Sequence, residues 1–192
     1  MRLVNLLKNI KCKVFGSVFV DVKGLYHNDK EVEKDGLFFC LNGSNFNGGD
    51  YVDSAKRNGA IAVVSDCILE DCEDIVLILV EDVRKTMSLI AKNFYGEPDK
   101  KLKLIGVTGT NGKTSTTYMI SSMLNKLGYS TAIIGTNGVV FKDSVIKTEM
   151  TTPDPIVLYK IFKQLLMEGV EYVCMEVSAH SIYLKKIEVK KQ

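Results

Sequence analysis

Short apolar runs alternate along this chain with stretches in which apolar residues return every third or fourth position. The runs Leu37–Leu41, Ala60–Val64 and Ile75–Val80 have the length and the branched or aromatic content of buried strands. Tyr51 to Asn58 reads as a helix before Gly59, Val83 to Phe94 as a second, and Met1 to Ile10 as a short amphipathic one with Leu3, Leu6 and Leu7 on one face. Further on, Leu102 to Ile105 forms a strand. Met119, Ile120, Met123, Leu124 and Leu127 then recur at helical spacing, and Gly128 stops that helix. Thr131 to Ile134 and Tyr172 to Val177 read as strands. Between them lies a helix over Asp154–Glu168, with Asp154 as its cap, Pro155 in its first turn and Gly169 at its close. Such alternation predicts an α/β fold with a mostly parallel, doubly wound sheet. The turn residues Gly96-Glu97-Pro98-Asp99 divide it into domains 1–97 and 98–192.

Chemistry concentrates after the strand at Leu102. Residues Gly106 to Thr114 read Gly-Val-Thr-Gly-Thr-Asn-Gly-Lys-Thr, a glycine-rich loop running into a helix. Glycines let main-chain N–H groups approach anionic oxygens, and the helix aims its positive end into the same space. This pattern predicts an ATP site made by Gly109, Thr110, Asn111, Gly112, Lys113, Thr114 and Ser115. Lys113 would reach the β/γ-phosphates and Thr114 would hold Mg²⁺. The spacing departs from the general phosphate-loop pattern, which would put its first glycine at Val107. The plainer alternative is a strand-to-helix turn with Lys113 solvated.

Three other segments carry weaker signals. Glu176, at a strand end, precedes Ser178 and His180; the carboxylate and imidazole either bind a metal or serve as a solvated cap and a packed ring. Thr151-Thr152-Pro153-Asp154 is by itself a helix-capping segment. Gly43 to Gly49 is either a plain polar loop or a wrap for a polar ligand.

Composition narrows the classes. A net charge of +2 gives no basic field for nucleic acid. The apolar runs fall short of the roughly 18 residues of a membrane span, and the N-terminus lacks a signal-peptide layout. Five cysteines without a Cys-x-x-Cys pair favour reduced, buried thiols in a cytoplasmic protein. Asn125-Lys126-Leu127 continues into Gly128, and no Asp-x-x-Gly follows the loop, so a GTPase is a poor match. A kinase leaves the preceding hundred or so residues unexplained.

Together the segments resemble the Mur ligases, most closely the UDP-N-acetylmuramoyl-tripeptide synthetases. Gly109-Thr110-Asn111-Gly112-Lys113-Thr114 resembles that family's ATP loop, and Thr151-Thr152-Pro153 its substrate-binding threonine pair. Met175-Glu176-Val177-Ser178-Ala179-His180 is similar to its magnesium-binding segment. Gly36–Gly43 and Gly49–Val52 resemble its UDP-binding domain. The resemblance implies an N-terminal UDP-substrate-binding α/β domain followed by part of a P-loop ATPase domain. It implies Lys113, Glu176 and His180 in catalysis, and Thr114, Glu176 and His180 on magnesium. Asp29, Ser44, Asn45, Phe46, Thr151, Thr152, Ser178 and Lys186 would contact substrate. The implied reaction phosphorylates a carboxylate of UDP-N-acetylmuramoyl-L-alanyl-D-glutamate with ATP and passes the acyl group to an amino acid, in a monomer with no nucleic-acid or membrane partner. Asp29 and Lys186 stand where relatives carry serine and arginine. The family's remaining ATPase sheet, modified lysine and C-terminal domain are not in this sequence, so an unpaired sheet edge and an uncovered apolar face are expected. An inactive nucleotide- and UDP-sugar-binding remnant, or another Mur-type ligase such as a folylpolyglutamate synthetase, are the alternatives.

Overall fold

Parallel strands covered on both faces need near-continuous apolar sequence, and the runs above supply it. A computed structural model of the chain describes residues 1–43, 47–69, 74–148 and 150–178. They fall into two units, Met1–Phe94 and Tyr95–Gln192.

In the first unit the strands are β1 (Lys13–Phe15), β2 (Gly24–Tyr26), β3 (Gly36–Phe39), β4 (Ala60–Ser65) and β5 (Val76–Leu79). Their order is β1-β5-β4-β3-β2, parallel throughout except that β1 runs against β5. The helices are α1 (Leu3–Leu6), α2 (Val52–Asn58) and α3 (Val83–Phe94). Leu37, Phe39, Val63, Val64, Ile78 and Ile90 are fully buried around the sheet. The predicted helix over Met1–Ile10 shrinks to the single turn of α1, pinned by buried Leu3 and Leu6. A 3-10 turn over Gly48–Tyr51 takes the start assigned to the helix at Tyr51. β1 and β2 were not anticipated: three-residue strands at the two sheet edges carry too few positions for an alternating pattern to register.

The second unit holds β6 (Lys103–Val107), β7 (Thr131–Gly135), β8 (Gly138–Phe141), β9 (Ser144–Ile146) and β10 (Tyr172–Glu176), ordered β6-β10-β7-β8-β9. The parallel sheet expected here is found for β6, β10 and β7, while β8 and β9 extend it as an antiparallel hairpin. Helix α5 (Pro155–Met167) buries Ile156, Leu158, Ile161, Phe162 and Leu165. Helix α4 (Lys113–Lys126) behaves otherwise: it buries Thr117 and Ser121, and Met119, Met123 and Leu127 are 59%, 65% and 72% exposed. Ser121 Oγ lies 2.6 Å from Thr131 Oγ1, which donates to Asn125 Oδ1 at 3.0 Å, so hydroxyl pairing turns the methionine row outward. Among the described residues β6 is an edge strand, with Leu104 38% exposed. Cys40 and Cys174 are buried, burial pushing the Cys174 thiol above its usual pKa, whereas Cys67 is exposed.

Candidate functional site

Register brings the chemistry together. Val107 lies opposite Glu176 and Ile134 opposite Met175, so β6, β10 and β7 end on one side of the second sheet. The carboxyl ends of parallel strands are where such sheets take ligands. β6 runs through Gly106 and Val107, two residues past the apolar run, which leaves residues 108–112 as the loop. Gly112 has φ +77° with open space where a Cβ would stand, and there the chain turns into α4. No side chain among the described residues caps α4, whereas Asp154 caps α5 by accepting from Ile156 N at 2.9 Å and Val157 N at 3.2 Å. An uncapped helix start is a ready site for an anion. Lys113 Nζ donates back to Gly109 O at 2.7 Å and Thr110 O at 3.2 Å, curling over the loop. Gly109, Thr110, Asn111, Gly112 and Ser115 are exposed around it.

Glu176 sits beneath this loop, only 2% exposed. Thr114 Oγ1 donates to its Oε1 at 2.9 Å, Thr136 N to the same oxygen at 3.0 Å, and Thr136 Oγ1 to Oε2 at 3.2 Å. All three donors are neutral, and no lysine or arginine among the described residues pairs with this carboxylate. A buried carboxylate beside a hydroxyl, with no fixed cation, is the oxygen-rich setting that suits Mg²⁺. Thr152 Oγ1 donates to the Glu176 carbonyl at 3.0 Å and accepts from Ser178 N at 3.5 Å, strapping the end of β10. Thr151 Oγ1 lies 3.3 Å from Thr136 Oγ1. Thus Thr114, Glu176, Thr151, Thr152 and Ser178 gather beside the loop, while His180 and Lys186 lie outside the described residues. No group of three or more His, Cys, Asp or Glu forms a metal cluster among the described residues.

Sequence reasoning passed over Gly135 and Thr136. Gly135 admits the Glu176 side chain so closely that a Cβ there would overlap the carboxylate. The available signal was position: a Gly-Thr pair directly after the strand run ending at Ile134 falls at a carboxyl strand end.

In the first unit a cavity of about 260 Å³ opens at the ends of β2 and β3, lined by His27, Asn28, Asp29, Phe38, Leu41 and Tyr51 among others. Asp29 therefore faces a pocket; Ser44, Asn45 and Phe46 lie outside the described residues. Asn42 shapes the rim: its Oδ1 accepts from Gly48 N at 2.9 Å and its carbonyl from Arg84 Nη2 at 3.1 Å.

A glycine-rich loop leading from a parallel strand into an uncapped helix places the second unit among phosphate-loop nucleotide-binding folds. Comparison with known proteins narrows the class. Residues 107–190 match the Mur ligase middle domain, and nearly the whole chain is similar to part of the Mur ligases. It is 42% identical over 188 residues to UDP-N-acetylmuramoyl-L-alanyl-D-glutamate--2,6-diaminopimelate ligase of Caldanaerobacter subterraneus subsp. tengcongensis, covering 98% of this chain and 39% of that protein. A ligase of the same name, numbered 1, from Clostridium acetobutylicum is 38% identical over 97% of this chain and 39% of its own. The chain thus spans about two fifths of the length of these relatives. A solved structure of a 2,6-diaminopimelate ligase superposes with a TM-score of 0.73 at 25% identity, over 86% of this chain and 34% of that one. The MurF ligase of Thermotoga maritima in complex with ADP gives 0.57 at 26% identity, over 82% and 32%. No helix among the described residues is long and apolar enough to cross a membrane.

Proposed function

We propose that this chain supplies the nucleotide-binding and UDP-sugar-binding parts of an ATP-dependent ligase that extends UDP-N-acetylmuramoyl-L-alanyl-D-glutamate by one amino acid. The observation that carries the proposal is Thr114 and buried Glu176 meeting at 2.9 Å beside the loop of Lys113. The γ-phosphoryl group of ATP passes to the substrate carboxylate, giving ADP and an acyl phosphate. An amino-acid amine then attacks the acyl carbon, the C–O bond breaks, and phosphate leaves as the amine loses its proton. The relatives' names make 2,6-diaminopimelate the first amine to test.

Each stage asks something of residues in place. Two anions must approach each other, and the ammonium of Lys113 lowers that cost once a polyphosphate draws it from the carbonyls of Gly109 and Thr110. Amides at the start of α4 add fixed positive dipoles. Mg²⁺, held by Thr114, Glu176 and, by resemblance, His180, would supply charge neutralisation at the transferring phosphoryl group. Thr151 stands close enough to this cluster to orient the acceptor. In the first unit, Phe38, Tyr51 and Asn28 around the cavity suit a planar base with polar edges, which we assign to uracil, with Asp29 at its wall.

Phosphate release from MgATP tests the reading, with the muramoyl dipeptide and diaminopimelate supplied together and singly. Release that needs both substrates and vanishes in Lys113→Ala is the expected result. ADP binding without substrate-dependent release would identify a binding module instead. No association of ADP at millimolar concentration would remove the nucleotide site altogether.

A further inference from the structure

Glu176 is fixed by one residue more than its metal role requires, and that residue belongs to no motif singled out above. Its Oε1 has two donors, Thr114 Oγ1 at 2.9 Å and Thr136 N at 3.0 Å. Its Oε2 has one donor among the described residues, Thr136 Oγ1 at 3.2 Å. A carboxylate tethered at a single oxygen can still rotate about its terminal bond. The Thr136 hydroxyl closes that freedom by taking the second oxygen. β7 and β8 meet at Gly135 and Gly138, so Thr136 occupies a tight two-residue turn with Asn137, and its backbone and side-chain donors are set by one local geometry.

The same hydroxyl has a second neighbour. A threonine carries one proton and two lone pairs. Thr136 gives its proton to Glu176, so the Thr151 hydroxyl, 3.3 Å away, must donate to Thr136. A directed chain therefore runs from Thr151 through Thr136 to Glu176. We infer that Thr136 is a positioning residue: its hydroxyl orients the Glu176 carboxylate toward a divalent cation and joins that carboxylate to Thr151. The inference rests on the proposed role of Glu176 at the metal, and the experiment separates the two.

The experiment measures ADP affinity by titration of the whole chain, once in EDTA and once with Mn²⁺, whose paramagnetic resonance also reports its ligand field. Mn²⁺ takes the same oxygen ligands as Mg²⁺. The ratio of the two dissociation constants is the gain due to metal. Thr136→Val keeps the backbone donor and the volume but deletes the hydroxyl, and should cut that gain about tenfold, the worth of one hydrogen bond to a charged group. Thr136→Ser should restore the gain and the resonance spectrum. ADP affinity in EDTA should stay at the wild-type value in both. A merely structural threonine would instead weaken metal-free binding and lower the melting midpoint as well, and that result would overturn the inference. So would a Thr136→Val chain with the full metal gain beside a Glu176→Gln chain that has lost it. A Glu176→Gln chain that keeps the gain would remove the metal role of Glu176, and the inference with it. Should Thr136→Val prevent folding, Thr136→Ala deletes the hydroxyl as well and offers the same comparison without the branched side chain.

Discussion

At the scale of single residues the site turns on how a carboxyl group is held at 2% exposure with no lysine or arginine among the described residues paired to it. Hydroxyl and amide donors satisfy the oxygens of Glu176, and a glycine makes the space. Gly135→Ala is therefore expected to be costly twice. Its Cβ would overlap the carboxylate, and overpacking of this kind destabilises by about 1–3 kcal/mol. Urea unfolding should show that loss, and Mn²⁺ should no longer improve ADP binding. A variant with wild-type stability and metal response would mean the Glu176 side chain has another place to go. Lys113 and Thr114 stand out in the sequence through the spacing of their loop and Glu176 through a family resemblance, and the structure brings Thr114 and Glu176 within 2.9 Å. Gly135 and Thr136 do not stand out, since Gly-Thr has no chemistry of its own until β7 is laid against β10. Thr152 shows the converse: a motif threonine whose hydroxyl lies on the Glu176 carbonyl, where it ties down backbone.

Among elements, the two helices of the second unit separate what local sequence specifies from what packing specifies. The extent of α5 was readable because its signals are local: Asp154 at the cap, Pro155 in the first turn, Gly169 beyond the end. Asp154→Ala should cost about 1 kcal/mol in urea unfolding, the ordinary worth of a cap that satisfies two amides. Periodicity also located α4, but it states which residues share a side, not which side meets the sheet. The row Met119, Met123, Leu127 looks like a buried stripe and is exposed. Met123→Lys is accordingly expected to shift stability by less than about 0.5 kcal/mol, whereas Ser121→Ala, which breaks the 2.6 Å contact to Thr131, should cost about 1 kcal/mol. The opposite order in the same urea series would show that the apolar row is the packed face. The β8–β9 hairpin escaped notice for another reason. Asn137-Gly138 is a hairpin signal, but Phe141-Lys142-Asp143-Ser144 breaks the apolar pattern on either side into pieces too short to weigh.

For the molecule as a whole, each unit owns a sheet and a candidate site. The structure divides the chain after Phe94, next to the turn residues Gly96–Asp99. The first unit's cavity and the second unit's loop site each lie at the carboxyl ends of their own parallel strands, and the polar groups named at each come from that unit. Ligands should then act on one unit at a time. A ligand at a hundred times its dissociation constant stabilises the state it binds by about 2.7 kcal/mol, and amides whose exchange requires opening of that unit slow in proportion. Hydrogen exchange followed by mass spectrometry can resolve this by peptide. Magnesium ADP should slow exchange around residues 106–116, 133–137 and 174–177 while leaving 25–41 and 47–52 at their free rates. Uridine diphosphate should do the reverse. Protection by ADP in both regions would show that the units open together and that the nucleotide's influence is not local. Protection by uridine diphosphate only in the second unit would place that ligand on the phosphate loop, and the cavity around Asp29 would lose its assignment. The two ligands test two sheets whose sites arise from one rule: a parallel strand ends, the backbone turns away, and the polar groups left at that edge are the ones a ligand can reach.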